Sequence, residues 1–110
     1  MYNPSVDVIK ALVDAGADID ARDDDQVTPL HYAAGSNQGM VKVLIERGAN
    51  VNVLNGVQRS PLWYAAFYNN REAVIELCKA GAKPQLGHNP LDDDWVADEM
   101  KQLIREKLSL

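Results

Sequence analysis

One cysteine, two histidines and no excess of basic residues are found in 110 residues, and each scarcity closes off a class of function. A lone thiol cannot form an internal disulfide, so a disulfide-stapled secreted fold is excluded. His31, Cys78 and His88 stand at unrelated positions with no second ligand at zinc spacing, which leaves a metal centre or a nucleophile–base pair almost nothing to use. The net charge of −5 and the pI near 4.8 argue against a surface for nucleic-acid phosphates, which calls for a basic face. A basic or neutral partner suits this balance better. No apolar run is long enough to span a bilayer, and none resembles the core of a signal peptide. These absences predict a reducing, intracellular and therefore cytoplasmic setting. At this length one domain is expected, burying about two-thirds of its unfolded surface, with little room for a multi-step enzyme. No enzymatic activity, cofactor or metal is expected.

What the chain does have is repetition. Thr28-Pro29-Leu30-His31-Tyr32-Ala33-Ala34 returns 32 residues later as Ser60-Pro61-Leu62-Trp63-Tyr64-Ala65-Ala66. A hydroxyl residue followed by Pro is a helix start, since the side chain caps an orphan N–H and Pro at the first helical position loses no hydrogen bond. The paired alanines then give a thin face for close packing. A second marker, Gly-Ala, recurs at Gly16, Gly48 and Gly81, at intervals of 32 and 33 residues. Ahead of each glycine the sets Val8/Ile9/Leu12/Val13, Met40/Val41/Leu44/Ile45 and Ala73/Val74/Leu77/Cys78 align on one helical face. Each of these helices is expected to end at a glycine in the left-handed conformation.

On these residues, a Thr-Pro-Leu-His-x-Ala start with a period near 33, the sequence resembles the ankyrin-repeat family over roughly residues 4–91. The resemblance implies an all-α fold: a short solenoid in which each repeat has two antiparallel helices and a hairpin-like loop. It assigns His31 a structural role, tying its helix start to the neighbouring loop through both ring nitrogens. Trp63 stands where the second repeat should have that His. An indole only donates, so part of the tie should be lost there. The units are a partial repeat over 4–22, whole repeats over 23–54 and 55–87, and a divergent capping repeat over 88–110. In the first, Met1 to Asn3 leave no room for an inner helix. Part of the Val8/Ile9/Leu12 face should then lie open, which favours a weak isologous dimer through that end. Tyr2 folding back over it, or further repeats upstream, are the alternatives. The one-residue deletion in the first whole repeat falls in the turn Gly35-Ser36-Asn37-Gln38-Gly39. In the cap, a helix is expected over 95–108, with Asp93 or Asp94 as its N-cap.

By the same resemblance the function is non-covalent binding of a protein partner. The residues at the positions the family varies are Arg22, Asp24, Asp25, Val27, Leu54, Gly56, Val57 and Arg59 on the loop tips, with Gly35, Phe67 and Tyr68 on the concave helices. Tyr64 should be mostly core. Tyr and Trp are favoured at binding hot spots, but Phe67 and Tyr68 could equally pack beneath the cap. The rivals are a spacer or fragment of a longer array in a multidomain protein and, against the scarcity of His and Cys, a small enzyme or metal-binding protein.

Overall fold

Two hydroxyl groups start the stack. In the computed structural model, which describes residues 18–36 and 39–110, Thr28 Oγ1 accepts from the His31 N–H at 3.4 Å and Ser60 Oγ from the Trp63 N–H at 3.2 Å. The helices are α1 (Pro29–Ala34), α2 (Met40–Glu46), α3 (Pro61–Phe67), α4 (Arg71–Lys79) and α5 (Asp98–Leu108), with a 3₁₀ turn at Pro90–Asp92 between α4 and α5. There is no strand among the described residues. The expected outer helix over 4–15, with its Val8/Ile9/Leu12/Val13 face, lies outside the described residues, as do Asn37 and Gln38.

The helices form two layers. In one, α1 packs on α3 and α3 on the 3₁₀ turn; in the other, α2 packs on α4 and α4 on α5. The alanine pairs Ala33/Ala34 and Ala65/Ala66 are buried between them, as the thin face requires. Leu30, Leu44, Leu62, Leu77 and Ile104 fill the seam, each contributing roughly 1.5–3 kcal/mol by leaving water. Lys42, Glu46, Arg71, Glu72 and Lys79 face solvent on the outer layer. Cys78 is buried among the core residues, and burial pushes its thiol up to about 11, so it stays protonated at neutral pH.

The Gly-Ala marker has a geometric cause. Gly48 and Gly81 sit at φ +91° and +92°, and each ends its helix with the paired bonds of a Schellman motif. Gly48 N–H donates to Ile45 O and Ala49 N–H to Leu44 O, while Gly81 N–H donates to Cys78 O and Ala82 N–H to Leu77 O. Across the loops, Asp20 and Asn52 each accept a hydrogen bond from the next repeat. Asp20 Oδ1 accepts from Asn50 N–H at 2.9 Å, and Asn52 Oδ1 from Lys83 N–H at 2.8 Å. Asn70 closes the other side. Its Oδ1 caps α4 at the Ala73 N–H, and its Nδ2 donates to Ala34 O and Ser36 O, satisfying carbonyls at the end of α1.

The cap departs from expectation. α5 begins at Asp98, not at 95, because Asp93 folds the intervening residues into a turn: its Oδ1 accepts from Trp95 N–H at 2.8 Å and its carbonyl from Val96 N–H at 3.1 Å. Asp93 thus caps a turn rather than a helix, and Ala97 stands at the N-cap without a side-chain bond. Asp98 and Glu99 in the first turn complement the helix dipole. Val96, Met100, Leu103 and Ile104 are buried, whereas Trp95 projects into solvent.

The shortened third loop rests on the second. Gly87 has φ +66°, and a Cβ there would stand 2.3 Å from the Gln58 carbonyl oxygen. His88 N–H donates to that same oxygen at 2.7 Å. Gly87→Ala is therefore expected to cost about 2 kcal/mol, read as a lower urea midpoint. An unchanged midpoint would mean that the loop moves aside freely.

Candidate functional site

The loops that carry the candidate contacts are pinned from inside. Asp23 Oδ1 accepts from Asp25 N–H and Val27 N–H, and Asn55 Oδ1 from Val57 N–H and Arg59 N–H, at 2.9–3.0 Å. Each is then met by a tyrosine nine residues on: Tyr32 donates its hydroxyl to Asp23, and Tyr64 Oη accepts from Asn55 Nδ2. The Asp23 carboxylate pushes the Tyr32 phenol up to about 12, with burial adding to it. Bonding to Tyr32 and to backbone N–H groups holds Asp23 itself below the usual carboxylate range. Asp23 is thus a staple of the loop, not part of an acidic tip.

His31 fastens one loop to the next. Thr28 N–H donates to Nδ1 at 3.1 Å, so the proton resides on Nε2, which donates to Arg59 O at 3.0 Å. Burial lowers the pKa of this imidazole, and the nearby Arg22 charge adds to the effect. In the next repeat Trp63 returns no bond to the Ser60 N–H, which is the part of the tie its chemistry forbids. Its donor is not lost. Trp63 Nε1–H reaches Asp93 Oδ2 at 2.7 Å, and His88 Nε2 lies 3.0 Å from the same oxygen. Burial works to raise the pKa of Asp93, but the donors from Trp63, Trp95 and His88 outweigh it and hold the carboxyl below its ordinary value. A carboxylate in the cap thus takes the place of a loop carbonyl.

This latch gathers aromatic rings along the inner layer. Phe67 stacks on Trp63 with centroids 4.7 Å apart, Tyr68 meets Phe67 edge-on at 5.0 Å, and the Arg59 guanidinium lies 4.2 Å over the Trp63 ring. These side chains line an open groove of about 600 Å³ together with Tyr64, His88, Asp93 and Trp95. Tyr68 is 44% exposed and Trp95 83%. A second groove of about 590 Å³ runs between the two loops, lined by Asp24, Asp25, Val27, Tyr32, Asn55, Gly56, Val57 and Tyr64. Tyr64 borders both.

The sequence-derived contacts divide accordingly. Asp24, Asp25, Gly56 and Val57 are exposed at the loop groove, with Gly56 N–H bonded to Asp25 O at 2.9 Å. Val27 is 8% exposed and serves as the floor of that groove rather than its rim. Arg59, Phe67 and Tyr68 come together in the aromatic groove. Arg22, Leu54 and Gly35 line neither: Arg22 Nη1 donates to Leu54 O at 3.2 Å, and Gly35 is the C-cap of α1. Trp95, His88 and Asp93 were absent from the sequence-derived set. An Asp two residues ahead of a Trp, within an acidic turn, is the one local signal that could have placed Trp95 outside the helix.

The family model for ankyrin repeats, in three copies, matches residues 1–88. Protein fem-1 homolog A of Bos taurus, that of Homo sapiens, and protein fem-1 homolog A-A of Mus musculus are each 59% identical to this chain over 34 residues. That stretch is 31% of this chain and 5% of the length of each relative.

Proposed function

Because the chain belongs to the ankyrin-repeat family, whose repeats generally mediate protein interactions, we propose that it is a non-enzymatic module that binds a protein partner through its loop tips and inner-helix face. The observation that carries this reading is the aromatic groove. Large rings exposed beside a pocket supply contact area at little entropic cost, and Tyr68 and Trp95 are the two that solvent reaches most freely there. Val57, 63% exposed on the neighbouring loop tip, adds an apolar side chain at the loop groove. The proposed setting is a reducing compartment, where a lone thiol stays free.

Tyr68→Ser with Trp95→Ser is the cleaner disruption, because Phe67 is half-buried against Trp63 and its loss would disturb packing. The double variant is expected to keep its helical circular dichroism and to lose the proteins captured by the wild type from a lysate of its source. Identical capture by both would contradict binding at this face. It would favour the second reading, a spacer within a longer repeat array, which draws support from the small fraction of each relative that the match spans. Self-association through the Val8/Ile9/Leu12 face is a separate proposal. A sedimentation coefficient that rises with concentration and is abolished by Ile9→Glu would support it, and a constant coefficient would end it.

A further inference from the structure

Arg59 is the unusual occupant of the aromatic groove. In a chain of net charge −5 its guanidinium has no carboxylate partner among the described residues, and its Nε is buried with no hydrogen-bond acceptor. The guanidinium carbon lies 4.2 Å over the Trp63 ring. A contact of this kind supplies no hydrogen-bond acceptor, so the fork of N–H donors is left to pair with a carboxylate in bidentate fashion. The one acid lining the groove, Asp93, is already committed: its two oxygens accept from Trp63, His88 and Trp95. Among the described residues, the groove therefore holds an unneutralised cation beside exposed rings.

We propose that the groove takes an acidic segment of a protein partner, with an Asp or Glu carboxylate on the Arg59 fork and an adjacent large apolar side chain against Tyr68 and Trp95. This rests on the binding reading above and gives the partner a local chemistry opposite to the one the overall charge suggests. Net charge acts over a distance and is screened within about 10 Å at ordinary salt, whereas Arg59 acts at contact.

The test is selection of a random peptide library on the full chain, with elution by excess wild-type protein. Enriched peptides are expected to carry an Asp or Glu beside a large apolar residue. Replacing that acid by its amide should weaken binding to the wild type roughly tenfold or more. The same replacement should have little further effect on Arg59→Gln, and Arg59→Lys should fall between, since Lys keeps the charge without the fork. The acid-to-amide comparison needs only the wild-type protein, so it holds even if Arg59→Gln folds poorly. Enriched peptides that lose affinity with Tyr68→Ser but contain no acid, or tolerate the amide, would overturn the carboxylate assignment and leave the binding face standing. Failure to enrich any peptide over a mock selection would count against both.

Discussion

Trp63→Ala is expected to lower the unfolding free energy by about 4 kcal/mol, the cost of deleting a buried indole that the second repeat and the cap share. Trp63 is 5% exposed, stacked by Phe67 and covered by the Arg59 guanidinium carbon, and it is the donor that reaches Asp93. Trp63→Phe separates the two contributions. It keeps most of the ring packing and removes only the donor, so about 1–2 kcal/mol should be lost. Urea unfolding of both variants measures the difference. If Trp63→Ala cost less than about 1 kcal/mol, the latch would not be holding the cap.

His31→Ala should cost about 3 kcal/mol. The side chain is fully buried, and its removal leaves the Thr28 N–H without its partner, frees one of the bonds to Arg59 O and opens a cavity. The loss should also depend on pH. Since burial lowers the folded-state pKa, the unfolded chain binds more protons below the ordinary histidine value of about 6.5. Stability supplied by neutral His31 is thus full above that value and declines as pH falls towards the folded-state pKa. A proton on Nδ1 would face the Thr28 N–H donor. The gap between wild type and His31→Ala should narrow from pH 7.5 to 5.5, and a constant gap would contradict a buried imidazole held neutral in the folded state.

These two positions also mark where the sequence is readable. The helix starts, the alanine faces and the glycine C-caps depend on neighbours within about six residues, and all are visible in the order of residues. His31 was legible because its partners belong to a pattern that repeats. Trp63 broke that pattern, and chemistry alone foretold the missing return bond to Ser60. What no local rule foretold was the new acceptor. Asp93 lies 30 residues away and reaches Trp63 only because the shortened third loop rests on Gln58. The same turn hides the position of Trp95. Helical spacing offered Trp95 or Val96 for the apolar face of the cap helix, and the two bonds to Asp93 decide between them: they hold residues 95 and 96 in a turn, so Val96 enters the core and the indole of Trp95 is left outside. Asp23 and Asn55 were readable in principle, since each precedes its tyrosine by nine residues in both loops.

A partner proposed to sit on the aromatic groove, between the inner layer and the cap, would lie against both tryptophans. The chain has two tryptophans, both lining that groove, and so offers two separate indole N–H signals. A nitrogen–proton correlation spectrum of the labelled full chain, titrated with a peptide that survives selection, reads them directly. Binding there is expected to move the Trp95 indole signal most, with Trp63 following through Arg59 and Asp93 and the amide of Tyr68 shifting with them. Indole signals that stay in place while amides of Arg71–Lys79 and Asp98–Leu108 move would put the partner on the outer layer and contradict it.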